Sequence, residues 1–243
     1  MSRLSFVPFV PIMVSVYCHH AHAIRPFVTD DARVVGEGLA QVETWIQGDR
    51  HELAHNVLGA IGPTDWLELT AGFTHGGLYG AGGGYGISGP ILQLKTLWRE
   101  AKSGDWPGVA FAAGTLTPFG HGAFTPPGVA TFGYLALTQS LLEEDLLLHA
   151  NVGMTADERT PWVFAPTGGF GFQARVIGRM HAVAEVFHGD PYDPLFARTA
   201  TQAGFRYILT EAIQFDGTIG ASLNGGSASW WSLGVRLVSD SLW

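Results

Sequence analysis

Nine charged or imidazole side chains sit singly on the polar faces of otherwise apolar runs: Glu43, Glu68, Lys95, His149, Arg175, Glu185, Arg206, Asp216 and Arg236. Isolated charges of both signs can pair between neighbouring strands and fix their register. They can also line a narrow conduit and bias which solutes pass. Both readings stand at this point, and they overlap, because a paired charge can still face water.

Covalent or metal chemistry needs tighter groupings than these. Asp30 and Asp31 are adjacent ahead of the first strand and read as a solvated segment or a cap, since calcium wants six to eight oxygens. His51, His55, His75, His121, His181 and His188 show no zinc-ligand spacing. His188-Gly-Asp190 with Asp193 reads as an exposed loop cluster, and a metal there is the lesser reading. Gly80 to Gly86 is rich in glycine but lacks the following Lys-Ser or Lys-Thr of a phosphate loop. Ser88 and Ser140 are not placed beside a histidine and an acid. The expectation is therefore no catalytic, cofactor-binding or metal residue, with the nine charged positions lining a lumen.

The amino-terminal stretch reads as an export leader. Arg3 gives a cationic start, Leu4 to Tyr17 is apolar but broken by Pro8 and Pro11, and Ala21-His-Ala23 has the small-x-small form of a cleavage site. Cys18 follows Tyr17 rather than a small residue, which disfavours a lipoprotein signal. Cleavage after Ala23 leaves no cysteine, and 12 basic against 21 acidic residues, near -9. Such a chain should repel nucleic acid.

The elements that must position the polar residues are short and alternating. The chain is 47% hydrophobic, only 14% charged and carries 33 glycines, yet beyond the leader no apolar run approaches the length of a membrane helix. From Gly38 onward, segments of about ten residues alternate with Gly, Pro, Asp or Asn. Val42, Thr44 and Ile46 oppose Gln41 and Glu43; Leu92, Leu94 and Trp98 oppose Gln93 and Lys95; Phe170 and Phe172 oppose Gly171 and Gln173. Segments 51–61, 108–117 and 130–139 are less regular, the last two being apolar or small on both faces. Counting them gives about twelve strands. Outward apolar faces require that every sheet edge be paired, because an unsatisfied backbone group in hydrocarbon costs several kcal/mol. The expected fold is all-β, a closed antiparallel transmembrane β-barrel over 38–243, preceded by a signal peptide (1–23) and a periplasmic amino-terminal segment (24–37).

Arg25-Pro-Phe-Val-Thr-Asp-Asp-Ala32, Gly36-Glu-Gly38, Gly62-Pro-Thr-Asp-Trp-Leu-Glu-Leu69 and the strand from Gly89 to Trp98 resemble a transporter-like outer-membrane family catalogued under the meta-pathway of phenol degradation. Ala184-Glu-Val-Phe187 and Gln202-Ala-Gly-Phe-Arg-Tyr207 are similar to its late strands. The resemblance implies a barrel in a bacterial outer membrane. Its name reflects genetic neighbourhood, so uptake of an aromatic compound is a hypothesis.

The functional expectation is a passive channel or transporter-like barrel for a small, hydrophobic or aromatic solute, moving along the lumen or through a lateral opening. A plugged structural barrel and, less favoured, a lipid-modifying enzyme are the alternatives. Outer-membrane lipid and the outer-membrane assembly machinery are the expected partners, with a small-molecule solute beside them. No cofactor and no nucleic acid are expected.

Overall fold

The computed structural model describes residues 27–80, 83–158, 162–193, 196–224 and 228–243. The leader, its cleavage site and Arg25-Pro26 lie outside them. Twelve strands follow one another along the chain: β1 (Ala40–Gly48), β2 (Glu52–Thr64), β3 (Leu67–Leu78), β4 (Tyr85–Arg99), β5 (Gly108–Leu116) and β6 (Ala130–Leu141), then β7 (Leu146–Asp157), β8 (Val163–Ile177), β9 (Met180–His188), β10 (Thr199–Ile208), β11 (Ile213–Ser222) and β12 (Ser229–Val238). A two-residue strand, Gly120–His121, lies along β4.

Every barrel strand pairs antiparallel with its sequence neighbours, and β1 pairs with β12 from Gln41↔Val238 to Gly48↔Trp231. The ring is closed. All the less regular segments are strands, and their weak alternation has a physical cause. Ala110, Ala112, Phe132, Tyr134 and Ala136 are buried inward, packed against the buried Ala32 and the half-buried Tyr192, so this part of the inner wall is itself apolar.

Elsewhere the usual distribution is inverted. Val42, Ile46, Leu69, Leu92, Leu94, Phe170 and Leu233 are exposed on the outside, whereas Gln41, Thr70, Gln93, Gln173, Gln202 and Gln214 are buried inside. Among the described residues no helix is long and apolar enough to cross a membrane. The strands supply the crossing, with a lipid-facing outer wall. Trp66, Trp98 and Trp106 are exposed toward one end of this wall, and Tyr79, Tyr85 and Trp162 toward the other, where amphipathic rings suit the headgroup levels. Two shallow apolar depressions of about 690 and 580 Å³ on the outside, one beside Ile219 and Trp231 and the other beside Leu69 and Leu92, fit acyl chains.

One end carries connections 65–66, 100–107, 142–145, 178–179 and 209–212, together with the start of β1 and the end of β12. The opposite end carries 79–84, 117–129, 158–162, 189–198 and 223–228, and one tight connection, 49–51. Below these are called the turn end and the loop end. The carboxyl-terminal tail leaves the strand at Val238. It is tied back by Ser239 N–H to the Ala40 carbonyl (2.8 Å) and Leu242 N–H to the Gly38 carbonyl (2.7 Å), leaving Trp243 exposed beyond the sheet.

Leu92 lies at the middle of β4, 44% exposed toward lipid. Leu92→Arg should cost about 2–4 kcal/mol of refolding free energy in lipid vesicles, and Leu92→Ile less than about 1.5 kcal/mol. Equal losses for both would contradict a lipid-facing Leu92.

Candidate functional site: the plugged lumen and the loop-end cup

The described residues preceding β1 run inside the barrel. This corrects the expectation that Asp30 and Asp31 stand in solvent: they are 2% and 4% exposed. The reason is that strand-borne side chains supply partners for this segment's otherwise unpaired backbone. Glu185 on β9 accepts from Val28 N–H (2.7 Å) and Thr29 N–H (2.8 Å). Thr138 Oγ1 on β6 accepts from Ala32 N–H (2.8 Å), and Glu68 on β3 accepts from Val35 N–H (2.8 Å). A buried N–H without a partner costs roughly 1–3 kcal/mol, so these acceptors decide whether the segment can enter.

Its side chains are held as firmly. Lys95 Nζ donates to Asp30 at 2.7 Å and lies 3.6 Å from Asp31, while Tyr134 Oη donates to the other Asp30 oxygen at 2.6 Å. Burial pushes the Asp30 carboxyl up to about 6, against the pull of Lys95. At Asp31 the same burial is outweighed by Lys95 and Arg33, which hold that carboxyl down. Arg33 reaches Glu144 at the turn end (3.1 Å). The Phe27 ring lies 5.5 Å from the His149 ring, with the Arg206 guanidinium 5.9 Å from its centroid. Two glycines make the space: a Cβ at Gly169 would overlap the Thr29 hydroxyl, and one at Gly62 the Gly36 carbonyl.

The nine charged positions divide. Glu43, Glu68, Lys95, His149, Glu185, Arg206, Asp216 and Arg236 are buried inside the barrel. Three opposite-charge pairs are direct cross-strand neighbours: Glu43 with Arg236, Glu68 with Lys95, and Arg206 with Asp216. Lys95 and Glu185 turn to the amino-terminal segment, and Arg236 also donates to Gln41 Oε1 (3.1 Å). Arg175 is the correction. It shares the inward parity of Gln173, but β8 is ending, the register shifts beside it, and its half-exposed side chain pairs with Asp145 at 2.9 Å on the rim.

Other sequence features fall elsewhere. Ser140 is buried with its hydroxyl unpartnered among the described residues, and His149 Nδ1 is hydrogen-bonded to Thr138 Oγ1 (3.0 Å). His188 bonds Thr199 (3.0 Å) rather than joining Asp190 and Asp193, and the described residues hold no group of three or more metal-ligand side chains. Three residues of the site were not singled out from sequence: Thr138, Tyr134 and Tyr192. The double-sided apolarity of β5 and β6 was the available signal, because an apolar inner wall needs something packed against it.

Above the amino-terminal segment the lumen opens into a cup of about 430 Å³ at the loop end. Val28 and Tyr192 form part of its lining, with Trp45, Phe73, Phe187 and Trp230 among the walls. Tyr192 descends from the β9–β10 loop, donates to Gln93 Oε1 (2.9 Å) and meets Phe132 edge-on at 5.5 Å. Val28 therefore belongs both to the segment that fills the lumen and to the base of the cup.

Gly169→Val should unseat the segment without removing any polar partner, and Glu185→Ala should unseat it by leaving two N–H groups unpaired. Limited proteolysis in vesicles should then cut within 27–37 at least several-fold faster than in the parent, with the barrel core intact. Unchanged cleavage in both variants would show that neither contact holds the segment.

A family model described as uncharacterised conserved protein UCP029691 matches residues 12–238. No curated protein sequence matches the chain. Among solved structures, the COG4313 outer membrane channel from Pseudomonas putida F1 superposes with a TM-score of 0.65 at 12% identity, over 86% of this chain and 98% of that one. The KdgM porin in complex with disordered oligogalacturonate gives 0.60 at 6% identity, over 81% and 98%, and the NanC porin 0.55 at 10%, over 82% and 98%. At these identities the likeness is one of fold, a twelve-stranded outer-membrane barrel of the kind found in porins and channels. With the match extending over nearly its whole length, the chain belongs to the family of uncharacterised conserved protein UCP029691.

Proposed function

We propose that this barrel is a non-catalytic outer-membrane passage for a small aromatic or amphipathic solute, closed at rest by Phe27–Val35. The observation that carries the reading is the double role of Val28, which lines the cup while its N–H is held by Glu185. A solute resting in the cup touches the closure itself. Displacing that closure trades its hydrogen bonds to Glu185, Thr138 and Glu68 for water, so opening is a conformational step rather than free diffusion through a permanent pore.

A volume near 430 Å³ has ample room for a one-ring or two-ring compound, and Trp45, Phe73, Phe187 and Trp230 are among the residues that line it. The fold likeness to channels and porins supports passage, and the sequence resemblance to barrels catalogued under phenol degradation supports an aromatic solute. Export through the periplasm and insertion by the outer-membrane assembly machinery are part of the same proposal.

A disulfide lock tests it. In a refolded chain starting at Ile24, which has no other cysteine, Ala32→Cys with Thr138→Cys joins the segment to β6 where the backbone now bonds the Thr138 hydroxyl. In planar bilayers the oxidised barrel should be silent, and reduction should bring discrete conductance steps. Equal conductance in both states would sink the gate. Silence in both states and in Gly169→Val would leave the plugged structural barrel as the better reading.

A further inference from the structure

We infer that Lys95 and Tyr134 form a site inside the barrel for the carboxylate of a small organic acid with an apolar body, an aromatic or short aliphatic monocarboxylate, and that Asp30 occupies this site while the lumen is closed. The inference rests on the opening proposed above, because the site is accessible to a solute only once Phe27–Val35 has moved.

Both donors belong to the wall. Lys95 on β4 and Tyr134 on β6 are each the cross-strand neighbour of Ala112 on β5, so a single alanine separates an ammonium from a phenolic hydroxyl. They converge on the two oxygens of one carboxylate: Lys95 Nζ donates to Asp30 Oδ1 at 2.7 Å, and Tyr134 Oη donates to Asp30 Oδ2 at 2.6 Å. Such a two-pronged grip suits an acceptor-only, charged group better than a neutral one. Strand register fixes the spacing of the two donors, so they stay in place when the segment leaves. Asp31, 3.6 Å from Lys95, leaves with it. Glu68 is the neighbour of Lys95 on β3, but its carboxylate is turned to Val35 N–H (2.8 Å) and the Thr70 hydroxyl (3.1 Å).

The surroundings set the rest of the ligand. Ala110 and Ala136 lie toward the turn end of the grip, and Phe132, whose ring lies across Gly114, toward the loop end; all three pack in one apolar cluster with Ala32 of the segment. Withdrawing Ala32 therefore uncovers apolar wall directly beside the two donors. Ile91 and Leu116, which line the cup, stand four positions from Lys95 and Ala112 on the same strands, so a solute descending from the cup meets the grip next. Lys95 is fully buried, and a buried ammonium that loses its counter-ion is strongly disfavoured. A solute carboxylate replaces what Asp30 withdraws, and so favours the open state over the closed one.

Limited proteolysis of the purified barrel in lipid vesicles tests the inference, with millimolar benzoate, benzamide and benzylammonium as probes and sodium chloride matching the ionic strength. Benzoate should speed cutting within 27–37 at least threefold, and benzamide and benzylammonium, similar in size but without the carboxylate, should leave it unchanged. Tyr134→Phe should at least halve the acceleration by benzoate relative to the same variant without it. Asp30→Asn, which weakens the resident competitor and keeps both wall donors, should lower the benzoate concentration needed for half the effect, a direction that loss of structure would not give. Heat-modifiable electrophoretic mobility checks that each variant is folded. Equal effects of benzoate and benzamide, no effect of any probe, or an unchanged or higher benzoate requirement in Asp30→Asn would overturn the assignment. Benzoate that exposes the segment of a barrel that never conducts sinks only the passage reading; a barrel that conducts on release of the disulfide lock, but whose segment ignores benzoate, sinks only this one.

Discussion

Closure of the hydrogen-bond ring between β1 and β12 is the constraint on which everything else depends. In hydrocarbon there is no water to satisfy a strand edge, so the first and last strands must meet. Once they do, each strand has one wall in lipid and one around an enclosed space. The enclosed wall then collects what lipid rejects. That is why Lys95, Arg206 and Arg236 are among the most buried side chains of the molecule while Leu92 and Leu233 are exposed.

An enclosed polar wall creates a second demand, since buried charges and amides need partners. Strand-to-strand neighbours meet part of it, as with Glu43 and Arg236 or Arg206 and Asp216. The remainder is met from within the lumen. Phe27–Val35 brings a row of backbone N–H groups and two carboxylates to Glu185, Thr138, Glu68 and Lys95, so chain segment and wall satisfy one another. In the gated passage proposed above, the same pairing is what opening has to exchange for water. The polar bonds that seat the segment are hydrogen bonds and ion pairs that water can replace, and they act beside the buried apolar contacts of Phe27, Ala32 and Val35. The cup differs in kind: aromatic rings from strands and loops, among them Trp45, Phe187, Phe196 and Trp230, surround an open space there.

Much of the fold was legible because its driving forces are local and periodic. Alternation along β1, β4 and β8 identifies which side chain meets lipid, and glycine, proline and aspartate mark the connections. The site was legible only in part. Sequence identifies Glu68 and Lys95 as inward residues, but not that Val35 and Asp30 are what they hold. Arg175 has the right parity and the wrong depth, because parity reports the face of a strand and says nothing about where the barrel ends. Asp30 and Asp31 look solvated in sequence, since adjacent carboxylates usually are.

What the sequence determined by itself was therefore the wall: strand number, the lipid-facing phase, closure, and the acidic, cysteine-free character of the chain beyond Ala23. These follow from side-chain pattern and from the intolerance of hydrocarbon for unpaired backbone. Only the tertiary structure decided the contents. Whether the lumen is filled depends on contacts between residues more than a hundred positions apart, such as Thr29 with Glu185 and Ala32 with Thr138, which leave no periodic trace along the chain. The cup likewise exists only because separate loops and strands bring Phe196, Trp230 and Asp49 around one space.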